Sequence, residues 1–417
     1  MKRLFVFPLL LLAVLSFSIM PLQAAEDVDL LNQIKKLPAV QPQKIELTLF
    51  IEQPLFHDHP EKGTFQQRLV LKHVGFDRPM VLVTEGYSLR KNYCEELSEL
   101  LEANQLRVEH RFFGESRPDS LVWEALNIEE AARDHHRIVE LFKKLYKGPW
   151  INTGWSKGGQ TALIHKRFFP EDVVATVAYD APINFAEEDP RIVAFFDKVG
   201  TPQCREKIRQ FQRLVLSHKK EIIPMMENYA RLKGYEFSIG YEKALEYVVL
   251  EYPFSFWQYH HIPCDEIPGP EQPAWQWFEH LKHVVAISSY SDRAMNSVSM
   301  YQFITQLGYY AYPMKGLTDL LSDGTNYPNR RFAPNYKNLK YQPEVMQDVQ
   351  AWLEKHGDHI IAIYGAQDPW SAPQLNLPRE RQYLKKVLPK GNHYTFIRTF
   401  PEDEQTEILN LLKEWIK

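Results

Sequence analysis

A serine lies between glycines in Gly154-Trp155-Ser156-Lys157-Gly158, after an apolar stretch and before a helix-forming one, QTALIHKRF. This is the pattern G-x-S-x-G, in which a sharp strand-to-helix turn strains the serine backbone and exposes its hydroxyl. Glycines flank it because the strand and helix backbones approach closely there. Asp368 follows directly on a strand-like run ending in Tyr364-Gly365, and His393 stands in a Gly-Asn turn after the last strand-like run. A serine needs a base to become nucleophilic near neutral pH. Histidine can take its proton, and a carboxylate holds the imidazole in the right tautomer. Taken singly, Asp368-Pro369 reads as a turn and His393 as a loop residue. The chain order Ser, Asp, His, with the last two about one strand–helix unit apart, joins them into a triad for acyl transfer.

Two further segments belong with this chemistry. TEGYSL (84–89) follows a fully apolar strand, and a backbone N–H from such a loop completes an oxyanion hole with the N–H of the residue after the nucleophile. Lys157 and Tyr87 are the candidate donors, with Gly86 beside them. VEHRFFGESRP (108–118) mixes charge with aromatics; Glu109 and Arg111 either form an ion pair with each other or meet a substrate directly.

The elements that must position these residues read as a mainly parallel sheet. Alternation marks strands at 44–52 and 66–73, and apolar runs mark 79–84, 149–153, 173–179, 358–364 and 383–388, with 106–110 a further candidate. Asn127 and Glu130 make a capping box for a helix whose apolar face runs through Ile128, Ala131, Ala132, Ile138, Val139, Phe142 and Leu145. Residues 403–417 read as an amphipathic terminal helix. Strands alternating with helices predict an α/β fold with helices on both sheet faces, of the α/β-hydrolase type. From about 186 to 350 the alternation stops, and long helical patterns rich in aromatics take over, such as EYPFSFWQYHH (251–261), read chiefly as helix core. The expected division is a signal segment over 1–25, a catalytic domain over 26–185 and 351–417, and a mostly helical cap over 186–350, above the sheet edge where α/β proteins bind ligands.

Length and composition fit this plan. The chain has 417 residues, 44% hydrophobic and 24% charged, which excludes disorder as its main state. Aromatics at 13% point to large buried surfaces or an apolar pocket. A formal charge of −4 without a basic run argues against a nucleic-acid partner. Lys2 and Arg3, the apolar run Leu4 to Ile19 and the small residues Ala24 and Ala25 form the three parts of an export signal, so a periplasmic or extracellular location is expected, with no membrane span in the mature chain. Export permits disulfides. With three cysteines at most one bridge can form; Cys204 and Cys264 share the middle region and are the favoured pair, and three reduced thiols are the alternative. The groups His57-Asp58-His59, Asp134-His135-His136 and His260-His261 with Cys264 and Asp265 lack recognised ligand spacing, so neither metal nor other cofactor is expected.

GWSKGG, EHRFFGES, TEGYS, YGAQDPW and GNHY together resemble the secreted bacterial serine peptidases of the PS-10 group, the tripeptidyl aminopeptidases of peptidase family S37. These are related to the prolyl carboxypeptidase and dipeptidyl peptidase II family. The resemblance is strongest over 80–185 and 355–400 and matches no motif in the cap. It implies Ser156 as nucleophile, Asp368 as orienting acid and His393 as base. It also implies release of short peptides, typically tripeptides and often after proline, from the free N-termini of oligopeptides. Such an enzyme must hold an α-ammonium; Glu85 and Glu115 are the candidates by position, and the cap is an equal source of acids. A secreted lipase or esterase would share the triad, and an apolar cap would suit a lipid, but EHRFFGES argues against it. A non-enzymatic binding protein of the same fold would not need Ser156, Asp368 and His393 together.

Overall fold

The computed structural model describes residues 28–36, 46–89, 95–259 and 261–417. The expected signal segment and Cys94 lie outside the described residues. Residues 28–34 form a short helix in a small unit of their own.

The remaining unit is built on eight strands: β1 (Glu46–Pro54), β2 (Thr64–Lys72), β3 (Met80–Thr84), β4 (Asn104–Val108), β5 (Trp150–Trp155), β6 (Ala175–Tyr179), β7 (Ile360–Gly365) and β8 (Tyr383–Leu388). They form one sheet in the order β1-β2-β4-β3-β5-β6-β7-β8. β1–β2 and β2–β4 are antiparallel, and every pair from β4 through β8 is parallel. Each predicted strand is present, with ends shifted by a residue or two. The largest consequence is at β4, which stops at Val108 because Glu109 leaves the ladder to serve a loop described below.

Helices cover both faces because the central strands are apolar on both. Val81, Val83, Ile151, Val177, Ile361 and Ile363 pack against Ile408 and Leu412 of the C-terminal helix Glu402–Trp415. The intervening Ala178 and Ile360 belong to the opposite core, with Leu163 and Ile164. This is the period of two expected of a pleated strand, apolar in both phases. The helices needed below are α1 (Ile128–Phe142), α2 (Lys157–Phe168), α3 (Pro202–Ser217), α4 (Lys219–Lys233) and α5 (Tyr241–Tyr259). Asn127 caps α1 by accepting the Glu130 N–H at 2.9 Å, but the expected capping box is half formed, because the Glu130 carboxylate accepts the His57 N–H at 2.9 Å.

Between β6 and β7 the chain is helical. α5 is the centre of this segment, with Tyr247, Val248 and Tyr252 fully buried. It carries Pro253 in its interior, which removes one helical donor and would leave the carbonyl four residues back unpaired. That carbonyl, on Val249, accepts the Gln212 Nε2 donor of α3 at 2.8 Å instead, so the helix runs on to Tyr259. Cys204 of α3 and Cys264 are joined by a disulfide, the paired outcome of the two left open by the sequence. Among the described residues no helix is long and apolar enough to cross a membrane.

Candidate active site

The C-terminal ends of β3, β5, β6, β7 and β8 lie side by side, and each delivers one group to the same place. β5 ends in the turn carrying Ser156, at φ 60° and ψ −126°, with α2 starting at the next residue. A non-glycine residue there is strained by about 1–3 kcal/mol and persists only where its surroundings fix it. Here the Ser156 N–H donates to Tyr179 O at 2.8 Å, and the flanking glycines permit the contact between strand and helix. A Cβ on Gly154 would stand 2.3 Å from the Gly158 backbone, and one on Gly158 would stand 2.7 Å from Thr84 O.

Asp368 and His393 meet directly: His393 Nδ1 and Asp368 Oδ2 are 2.6 Å apart, and both side chains are buried. The His393 loop is tied from two sides. Its N–H donates to Gln258 O of α5 at 2.9 Å, and its carbonyl accepts Trp155 Nε1 at 2.6 Å. Ser156 lines the same cavity as His393. The Ser156 hydroxyl is not hydrogen-bonded to His393.

Asp180, at the end of β6, is a fourth member that the sequence did not single out. One ligand atom from each of Asp180, Asp368 and His393 lies within 4.8 Å of the others. Asp180 Oδ1 accepts the Gly365 N–H at 3.1 Å. Burial, and then the neighbouring Asp368 charge, push the Asp180 carboxyl well above the usual carboxylate range. Two adjacent buried carboxyls cannot both ionise cheaply. Asp180 is therefore the member of the pair that holds on to its proton, and Asp368 is the one that faces the imidazole.

The oxyanion candidates are also together: Gly86, Tyr87 and Lys157 line the cavity with Ser156. The Lys157 side chain, which the sequence reading did not use, turns back and donates from Nζ to Gly86 O at 2.6 Å. Its ammonium lies 5.3 Å from the Tyr87 ring centroid and 5.0 Å from that of Phe113. Burial pushes the Lys157 amine well below its ordinary range. In a trans peptide the Tyr87 N–H points opposite to the Gly86 carbonyl, so this lysine fixes the direction of that donor. Lys157→Met is expected to lower kcat by about 10–100-fold with little change in KM, measured by steady-state kinetics, because it frees an oriented peptide without removing it.

The 109–116 loop is architectural, and Glu109 and Arg111 do not pair with each other. Glu109 Oε2 accepts the N–H groups of Glu115 and Ser116 at 2.9 Å and the Ser116 hydroxyl at 2.8 Å, while Oε1 accepts the Leu89 N–H at 3.0 Å. Gly114, at φ +51°, leaves the space: a Cβ there would lie 2.2 Å from Glu109 Oε1. Arg111 forms a fork on Asp134 of α1, Nε to Oδ2 at 2.7 Å and NH2 to Oδ1 at 2.8 Å. Burial works to raise the Asp134 carboxyl, but Arg111 and His57 together hold it below the usual range. Neither Glu109 nor Arg111 lines the cavity. Phe112 at φ 71° and Gly114 turn the chain sharply, which sends the two charges to different partners. Arg111→Met is expected to cost about 3–5 kcal/mol in urea unfolding, since it strands a buried carboxylate.

The two acids expected at the substrate amine are both engaged. Glu115 pairs with Arg68 at 2.7 Å on the surface, away from the cavity. Glu85 lines the cavity but accepts Arg107 NH2 at 2.8 Å. Of the histidines noted in the sequence, His57 meets Asp134 at 2.8 Å and His136 meets Asp172 at 2.9 Å, while His260 lies outside the described residues. Cys264 is in the disulfide.

The cavity above these groups encloses about 520 Å³. The sheet edge is its floor, and α5 supplies one wall through Glu251, Phe254, Ser255, Gln258 and Tyr259. These positions recur every three or four residues, so they form one face of the helix. The aromatic run, over 251–259, is thus both core and cavity wall. Near Asp368 the lining is aromatic: Trp370, and Phe254 stacked on Tyr310 with ring centroids 3.8 Å apart.

A family model described as "PS-10 peptidase S37" matches residues 40–416. The prolyl tri/tetrapeptidyl aminopeptidase of Streptomyces mobaraensis is 32% identical over 94% of this chain and 86% of its own. The lysosomal Pro-X carboxypeptidase of Mus musculus is 28% identical over 39% of this chain and 38% of its own. Among solved structures, a proline iminopeptidase of Mycobacterium smegmatis covers 88% of this chain and 98% of its own at 12% identity, with a TM-score of 0.43.

Proposed function

The chain belongs to the PS-10 peptidase S37 family and is a serine peptidase of the α/β-hydrolase fold, and on that premise we propose that it is an exported exopeptidase. It releases short peptides, chiefly tripeptides and preferentially after proline, from the free N-termini of oligopeptides. Ser156 attacks the scissile carbonyl while His393 takes its proton, and Asp368 holds the imidazole in the tautomer that can accept it. The N–H groups of Lys157 and Tyr87 receive the developing oxyanion, aided by the positive end of α2. His393 then protonates the departing amine. Water activated by the same histidine hydrolyses the acyl-enzyme, and no metal or cofactor takes part.

The observation that carries this reading is the 2.6 Å contact of buried Asp368 with His393, which lines one cavity with a strained Ser156. The division into catalytic domain and cap, 186–350, supplies the restriction to peptides: helices over the sheet edge admit an extended chain end and keep out a folded protein. The aromatic wall beside Asp368 gives a proline ring flat apolar surfaces to pack on. Catalysis needs one orientation of the imidazole, and its loop is bonded to both Trp155 and α5.

The test is to incubate the protein with a mixed peptide pool and identify products by mass spectrometry. Tripeptides lost from free N-termini, with blocked peptides untouched, is the expected result. Internal cleavage, or cleavage of lipid esters alone, would overturn it.

A further inference from the structure

α5 buries two glutamates, and only one of them has a cation. Glu246 accepts Lys219 Nζ at 2.6 Å, together with Ser322 and Tyr327. Glu251 accepts only hydroxyls: Tyr310 on Oε2 at 2.7 Å and Ser255 on Oε1 at 2.9 Å. Among the described residues no lysine or arginine lies within ion-pair distance of it. Its surroundings are otherwise aromatic, with Tyr290, Tyr309 and Tyr310 on the facing segments of the cavity. Burial pushes its carboxyl up to about 7 against those hydrogen bonds. A buried carboxylate without a countercharge is costly, and a carboxylate offers about four acceptor sites, so the hydroxyls of Tyr310, Ser255 and Tyr290 leave room for a further donor. Glu251 lines the same cavity as Ser156 and His393, so the missing cation has a route in.

Distance along the helix adds a second, independent observation. The Gln258 carbonyl holds the His393 N–H at 2.9 Å, which places the Gln258 end of α5 at the catalytic base. From Gln258 back to Glu251 the helix rises about 10 Å at ~1.5 Å per residue. An extended peptide covers ~3.3–3.6 Å per residue, so about three residues span that length. A dipeptide falls short by about one residue, and a tetrapeptide must bend.

We propose that Glu251 receives the α-ammonium of the substrate, and that the helical interval between Glu251 and Gln258 sets the released fragment at three residues. This rests on the exopeptidase reading above and names the group that makes it one. Of the other acids at the cavity, Glu85 is held by Arg107, and Glu95 donates its N–H to Gln105 of β4 at 2.8 Å.

The experiment compares Ala-Ala-Pro-aminomethylcoumarin with its N-acetyl form on the wild type and on Glu251→Gln. Gln keeps the shape and the hydroxyl contacts but not the charge. The wild type is expected to prefer the free amine by about 100-fold, as for a desolvated charge-assisted hydrogen bond. In Glu251→Gln that preference collapses to within about threefold, mainly through KM. A preference that survives in Glu251→Gln overturns the anchor. The double variant Glu251→Gln with Ser255→Glu carries the carboxylate one turn, about 6 Å, toward Gln258. That leaves about 4.5 Å of helix, the length of about one extended residue, so the variant is expected to release single residues in place of tripeptides from an unblocked peptide pool. Continued release of tripeptides, or no shortening of the released fragment, overturns the ruler. Failure of the exopeptidase reading would look different: activity on both coumarin substrates would be absent in the wild type, or would persist in Ser156→Ala.

Discussion

Ser156→Ala is expected to lower kcat/KM on a free tripeptidyl substrate by at least about 10⁴-fold, while urea stability stays within about 0.5 kcal/mol. The stability forecast follows from the turn itself. The φ of 60° is imposed by the Tyr179 carbonyl and by the contact of Gly154 with Gly158, none of which needs the hydroxyl. The activity forecast follows from the loss of the hydroxyl proposed as the nucleophile. A small remainder over the water rate would come from the backbone donors and the cavity. Loss of the fold in this variant would mean that the hydroxyl has a structural role beyond the backbone contacts that hold the turn.

Asp368→Asn is expected to reduce kcat by about 10³–10⁴-fold, because an amide offers its N–H to Nδ1 and turns the imidazole into the wrong tautomer. The buried Asp180 makes this case unusual. In the wild type the Asp368 charge helps keep Asp180 protonated. With that charge removed, burial still holds the Asp180 carboxyl up, but less far, and once ionised its anion stands close to His393. The sign follows: residual activity in Asp368→Asn should rise with pH as Asp180 ionises, whereas the wild type lacks this rise. Asp180→Asn in the same background should remove the rise and lower activity further. A double variant indistinguishable from Asp368→Asn at every pH would show that Asp180 does not substitute.

Much of this site is legible in the amino-acid sequence. Ser156, Asp368 and His393 each follow a strand-like run, and strands of a parallel sheet end on one edge, so order along the chain was enough to bring them together. The charged residues were harder, because partner choice depends on contacts distant in sequence. Glu85 and Glu115 looked equally placed for an amine, but Arg107 reaches one and Arg68 the other across neighbouring strands. Glu109 and Arg111, two residues apart, looked like a pair. The positive φ at Phe112 and Gly114 sends one to backbone donors and the other to α1. Glu251 was hidden in an aromatic run. The sequence shows Glu246 and Glu251 alike as acids in an apolar helix, and the lysine that neutralises only the first comes from α4. Asp180 gave no signal, since an aspartate after a strand is also an ordinary turn residue.

The central claim is that peptide release passes through an acyl bond to Ser156. It is tested most directly by rapid acid quench of the wild type with a tripeptidyl ester carrying a free N-terminus, followed by intact-mass and peptide mapping. The account predicts a transient mass increase equal to the tripeptide acyl group, located on the peptide containing Ser156, formed faster than steady-state turnover and absent in Ser156→Ala. Turnover without any covalent species, or an adduct on a different residue, would contradict it.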